Sequence, residues 1–143
     1  MILAFLTAAT ASTVTVQDTA YGHIVDENVP TVEKRILTVN ETEAAVREYF
    51  ADLPIMVEVA RCESQFRHQL SDGSILHGRV DPADTGVMQI NKRYHEKSAT
   101  AMNLDLDNLY DNMAYARYLY ETQGTRPWSA SMPCWGNTLA ANI

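Results

Sequence analysis

Between Pro54 and Phe66 apolar residues recur at a helical period, and a carboxylate interrupts them. Ile55, Val59, Cys62 and Phe66 fall at i, i+4, i+7 and i+11, which is one stripe of a helix. Met56, Val59, Ala60 and Glu63 form the adjoining stripe, so Glu63 stands where the pattern calls for an apolar side chain. An ionised Glu on a mostly buried stripe carries a large desolvation penalty, and burial raises its pKa. The more ordinary reading is a surface Glu at a helix end, or one paired with Arg61 or Arg67. Periodicity alone does not separate the two.

Further helices flank this one. Asn40-Glu41-Thr42-Glu43 resembles a helix start, with Asn40 as N-cap and Glu43 three residues later. Ala44, Ala45, Val46, Tyr49 and Phe50 then give an apolar face, and Pro54 suits the first turn of the next helix. Residues 67–85 differ. Asp72-Gly73 is a hairpin-type turn signal, and Asp81-Pro82 and Asp84-Thr85-Gly86 mark loops. A small antiparallel β-hairpin near residues 67–80 is therefore expected inside an otherwise helical domain. Helices resume around 92–102 and from about Asp107 to Gln123, where Gly124 is placed to stop the second. Pro127-Trp128-Ser129-Ala130-Ser131 begins a final short one. The fold class that follows is mainly α, of α+β type, with one small hairpin.

The N-terminal part reads differently. Residues 1–11 are MILAFLTAATA, and Ala9-Thr10-Ala11 has the form of a signal-peptidase site, although a positive n-region is lacking. Residues 1–16 are expected to be a signal peptide or hydrophobic N-terminus, 17–39 a flexible linker and 40–143 the folded domain. At 143 residues, 46% hydrophobic and 20% charged, one compact domain with a real core is expected. The net charge of −7 argues against nucleic acid, which needs a basic stripe to neutralise phosphates. Cys62 and Cys134 are either two small buried thiols or one disulfide. Export would favour the disulfide, worth roughly 4–5 kcal/mol on the chain-entropy model. His23, His68, His77 and His95 lack metal-ligand spacing, and neither metal nor cofactor is expected.

Two other features could carry chemistry. In Gly86-Val87-Met88-Gln89-Ile90-Asn91, Gly permits a tight backbone path, and Gln89 and Asn91 alternate with apolar Met88 and Ile90. In an extended segment both amides would share a face and could line a polar groove suited to sugars. An ordinary edge strand is the alternative. Tyr110, Tyr115, Tyr118, Tyr120, Trp128 and Trp135 are core residues or walls for sugar rings; spacing does not decide.

The ordered combination says more. Cys62-Glu63-Ser64-Gln65-Phe66, then Gly86-Val87-Met88-Gln89-Ile90-Asn91, a helix opening at Asn112, and Gln123-Gly124-Thr125-Arg126-Pro127-Trp128 together resemble the soluble (Slt-type) lytic transglycosylases, relatives in fold of goose-type lysozyme. The resemblance covers roughly residues 54–135. It implies that Glu63 is the sole catalytic acid/base and that Ser64 shapes its helix. It also implies that Gly86, Met88, Gln89 and Ile90 line the glycan groove, which Asn91 joins on the amide reading above, with a Tyr nearby for which Tyr118 and Tyr120 compete. The implied substrate is the MurNAc–GlcNAc β-1,4 bond of peptidoglycan glycan strands, cut outside the cytoplasm by a monomer with no cofactor to leave 1,6-anhydro ends. Two departures bear on this. The interval from Glu63 to Gly86 is long, and residues 71–80 account for it. Asp81 also precedes Pro82 where many members have a Ser that supports the catalytic Glu. A carboxylate there could raise the Glu63 pKa, or Asp81 or Asp84 could activate water. A hydrolytic muramidase and a non-catalytic glycan-binding module are the alternatives.

Overall fold

The computed structural model describes residues 35–140. The expected signal segment and most of the expected linker lie outside the described residues. The described chain is mainly helical with one small antiparallel sheet, as the periodicity implies.

Helix α1 (Val39–Tyr49) starts earlier than expected, because Thr38 rather than Asn40 caps it. Thr38 Oγ1 accepts from the Glu41 N–H at 3.3 Å, and the Glu41 carboxylate accepts from the Thr38 N–H at 2.9 Å. This reciprocal box satisfies two free donors at once. Glu43, expected to close a box on Asn40, instead takes the Arg47 guanidinium one turn on, at 2.6 Å. Helix α2 (Pro54–Ser64) has Pro in its first turn and stops at Gln65 and Phe66, whose φ angles are 54° and 58°. Left-handed conformations cost non-glycine residues roughly 1–2 kcal/mol each. Here they end the helix one turn after Ala60, leaving Glu63 on its last turn. Met56, Val59 and Ala60 are fully buried, and α2 packs against α1, α5 and the 3-10 turn described below.

The Asp72-Gly73 turn forms where expected. Asp72 Oδ1 accepts from the Ser74 N–H at 2.9 Å, and Gly73 takes φ 82°. Its flanks pair through a single bridge, Gln69 to Ile75, so the hairpin near residues 67–80 is a turn with little ladder. The two strands proper lie further on: β1 (Asp84–Thr85) and antiparallel β2 (Ile90–Asn91), with Asp84 opposite Asn91 and Thr85 opposite Ile90. His77 bridges Thr85, joining the turn to this ribbon.

Helix α3 (Lys92–Ala101) follows β2 directly. Helix α4 (Leu109–Gln123) is capped by Asn108, whose side chain accepts from the Tyr110 and Asp111 N–H groups. It therefore opens at Leu109; Asn112, expected at a helix opening, sits inside it, fully buried. Gly124 ends α4 at φ 63°. A 3-10 turn (Arg126–Ser131) leads into α5 (Met132–Ala140). A disulfide joins Cys62 to Cys134 across 72 residues and pins α5 to the end of α2. No described helix is long and apolar enough to cross a membrane.

Candidate functional site

The turn joining β1 to β2 is held from behind by buried polar side chains. His68 Nδ1 accepts from the Val87 N–H at 3.2 Å, which places the ring proton on Nε2, 2.9 Å from the Asp107 carbonyl. Asn112 Oδ1 accepts from the Met88 N–H at 3.0 Å, while its Nδ2 donates to the Thr85 and Leu106 carbonyls. Trp128 Nε1 donates to the Met88 carbonyl at 2.9 Å. These contacts convert the expected extended segment into a turn. Gly86 takes φ 72° and Gln89 φ 49°, so only residues 90 and 91 remain strand. Gly86 is required here for a second reason: a Cβ would lie 2.7 Å from Asn112 Nδ2 and 2.8 Å from His68 Cε1.

Glu63 and Gln89 mark the waist of an open cleft, each lining both of its recesses. One recess, about 390 Å³, is walled by the end of α2 and by Leu76, His77 and Arg79. The other, about 350 Å³, is walled by Asp84, Ile90, Asn91, Tyr94, Leu119 and Trp128, among others. Both fall within the volume range of roughly 300–1,000 Å³ typical of ligand sites.

The Glu63 carboxyl is half-buried, and its pKa is raised. Burial is the largest cause; a hydrogen bond from Ser131 opposes it, and the negative charge of Asp84 adds to it. Ser131 Oγ lies 2.6 Å from Glu63 Oε1 and 3.1 Å from the Trp128 carbonyl, and it accepts from Trp135 Nε1 at 3.1 Å. A hydroxyl has one proton and two lone pairs. Ser131 therefore donates to Glu63 when that group is ionised. When Glu63 is protonated, the hydroxyl can turn its proton to the Trp128 carbonyl and accept instead. The disulfide explains why this serine meets this glutamate. Cys134 is one turn beyond Ser131, and Cys62 immediately precedes Glu63.

The other expected site residues separate into two groups. Gln89, Ile90 and Asn91 line the cleft with Glu63. Ser64 also borders the first recess, but its hydroxyl is buried and donates to the Ala60 carbonyl at 3.0 Å. Met88 has no exposed surface and belongs to the core, offering its backbone rather than its side chain to the structure. Tyr118 and Tyr120 line neither recess; Leu119 between them does, because successive helical side chains point about 100° apart. Tyr118 is exposed and stacks at 5.6 Å on Tyr115. Asp81 is tied up elsewhere. Hydrogen bonds from Ala83 N–H and Asn91 Nδ2, with Arg93 alongside, hold its carboxyl below the usual range. The carboxylate that acts on Glu63 is thus Asp84, which also accepts from Asn91 Nδ2 at 2.8 Å.

Sequence reasoning missed Ser131 and Tyr94 as site residues. Tyr94 is 72% exposed at the rim of the second recess, a flat apolar face in an unusual position for a tyrosine on a polar helix. The signal for it was its own exposure-prone setting, Lys92-Arg93-Tyr94-His95-Glu96. Among the described residues, no cluster of three or more His, Cys, Asp or Glu could hold a metal ion. No protein-family model, curated protein or solved structure matches the chain.

Proposed function

We propose that this chain cuts the β-1,4 bond between N-acetylmuramic acid and N-acetylglucosamine in peptidoglycan, as a lytic transglycosylase with Glu63 as acid/base. The observation that carries the reading is the position of Glu63: a carboxyl of raised pKa at the waist between two recesses of one open cleft. A polymer lying through both recesses would present a linkage, not a chain end, to the proton. The two motifs on which the resemblance rests meet at that waist through Glu63 and Gln89, although 26 residues separate them in sequence (89 minus 63).

In this mechanism protonated Glu63 gives its proton to the bridging oxygen, and the C1–oxygen bond breaks. The muramic 2-acetamido group stabilises the cation, so no protein nucleophile is needed. Ionised Glu63, now hydrogen-bonded by Ser131, takes the proton of the sugar's 6-hydroxyl, and that oxygen closes on C1. The proton count balances and no water is consumed. Tyr94 offers a face for a sugar ring, and Gln89 and Asn91 offer amides. The disulfide and the apolar N-terminal residues fit an extracytoplasmic enzyme.

One observation favours a second reading on the same cleft. Asp84 lines the recess with Glu63 and acts on its charge, so it could orient a water and make the outcome hydrolytic. Mass spectrometry of products from purified sacculi separates the two: anhydro ends are lighter than reducing ends by one water. Glu63→Gln should lower the rate by about 10²–10⁴-fold, the usual contribution of a general acid. Sacculi left intact by the wild-type chain would overturn both readings and leave a binding module; a variant that cuts as fast would overturn the role of Glu63 in both.

A further inference from the structure

We propose that the recess walled by Arg67, His77 and Arg79 receives a carboxylate carried on the lactyl arm of the muramic sugar, making these arginines specificity determinants. The inference rests on the glycan-cleaving reading above but concerns recognition, not proton transfer.

The first ground is the pairing of charges. The chain carries an excess of acidic residues, with net charge −7, and its described arginines mostly find carboxylates. Arg35 pairs with Glu41, Arg47 with Glu43, Arg61 with Glu58, Arg93 with Asp81 and Arg117 with Asp52. Arg67 and Arg79 form no ion pair among the described residues, and both line the 390 Å³ recess beside Glu63. Arg126 is also unpaired, but it borders neither recess. In a protein rich in carboxylates, two unpaired guanidinium groups at one cleft wall form a local reversal of charge. A guanidinium offers a planar fork of N–H donors that matches a carboxylate.

The second ground is the origin of that wall. Leu76, His77 and Arg79 come from the segment that lengthens the interval between Glu63 and the Gly86 turn. Bridges from Gln69 to Ile75 and from His77 to Thr85 fix that segment against the ribbon, so the cationic wall is positioned by backbone pairing. Arg67 is aimed by its Nε, which donates to the Ser64 carbonyl at the end of α2, at 3.1 Å. The second recess, with Tyr94 and Trp128, has Asp84 in its wall and no arginine or lysine, so it suits a sugar ring without an acidic arm. The two recesses thus differ as alternating sugars of the polymer differ, one carrying an acidic arm and one not.

Two sources can supply the carboxylate: the lactyl acid of a peptide-free strand, or the acidic groups of a peptide stem attached to it. The test measures binding in the Glu63→Gln background, so that it does not depend on turnover. The probes are peptide-free glycan strands, peptide-bearing strands and the uncharged hexamer of β-1,4 N-acetylglucosamine. Arg79→Gln and, separately, Arg67→Gln should weaken binding to a charged strand about tenfold, the effect of losing a hydrogen bond to an ion. Binding to the uncharged hexamer should not change, and added salt should erase the difference. Loss on peptide-free strands assigns the lactyl acid, and loss confined to peptide-bearing strands assigns the stem. Equal loss on the uncharged hexamer, or no loss on any probe while the melting temperature is unchanged, overturns the proposal. If sacculi are never cleaved but the arginine dependence holds, the enzymatic reading fails and this one stands.

Discussion

Replacing Ser131 by Ala isolates the proton chemistry of Glu63. The hydroxyl contributes a 2.6 Å hydrogen bond to the carboxylate and opposes the rise in pKa caused by burial. A hydrogen bond to a charged group contributes about 1.5–3 kcal/mol, and the lower end applies here because the cleft is open to water. At about 1.4 kcal/mol per tenfold, the ratio of ionised to protonated Glu63 should fall roughly tenfold in Ser131→Ala. If Glu63 is the general acid proposed above, it must be protonated to act, so the alkaline limb of kcat/KM against pH should move to higher pH. In the proposed mechanism Glu63 then acts as base, and a weaker tendency to ionise should lower the maximal rate at the same time.

The fold should not confuse the result. Trp135 Nε1 also donates to the Trp128 carbonyl at 3.1 Å, so it keeps a partner when the Ser131 oxygen is removed. The stability loss should be about 1.5 kcal/mol, the contribution of the lost hydrogen bond. Ser131→Thr, which keeps the hydroxyl, should restore the wild-type limb. The measurement is a pH–rate profile on soluble glycan strands, with a carboxyl NMR titration of Glu63 beside it. An alkaline limb that does not move in a folded Ser131→Ala variant would refute the role given to this contact.

Two other outcomes follow from the same geometry. Glu63 has a raised folded-state pKa, so the folded protein holds its proton to higher pH than the unfolded chain does. The stability it contributes is complete below the unfolded value of about 4.3 and is lost as pH rises through the folded one. Glu63→Gln should therefore melt higher than wild type at pH 7, with the gap closing in acid; thermal scans across that range check it, and a gap that widens in acid would contradict it. Paired Cys62→Ser and Cys134→Ser changes release a loop of 72 residues, worth about 4 kcal/mol on the chain-entropy model. Activity should fall further than folded fraction, because Ser131 loses its register on Glu63; circular dichroism and rate measured on the same samples would show the two losses, and parallel losses would count against the clamp.

What could be read from the sequence was local and periodic. The stripes of α2 were legible because the buried residues Met56, Val59 and Ala60 recur at the helical period, and they locate Glu63 on the helix end. Gly124 was legible as a stop because its φ of 63° suits glycine. The start of α1 was ambiguous for a physical reason: Thr38 with Glu41 and Asn40 with Glu43 are both credible boxes. Arg47, one turn beyond Glu43, competes for that side chain and leaves Thr38 as the cap. The Gly86 turn was misread as extended because apolar and amide residues alternate through it. Its true shape is imposed by His68 and Asn112, which bond to its backbone from 19 and 24 residues away.

The support for Glu63 shows the same limit more sharply. In the proposed mechanism Glu63 first gives and then takes a proton, and a hydroxyl beside it can accept in one state and donate in the other, which a fixed charge cannot do. The position preceding Pro82 holds Asp81, which is bound to Asn91 and Arg93 and so is unavailable for that task. The hydroxyl comes instead from Ser131, 68 residues from Glu63, carried into place by a covalent link one turn further along. No periodicity encodes such a contact. It follows only once the pairing of Cys62 with Cys134 is combined with the 3.6-residue turn of α5 and its 3-10 entry: a side chain three residues before one half-cystine must approach the residue next to the other.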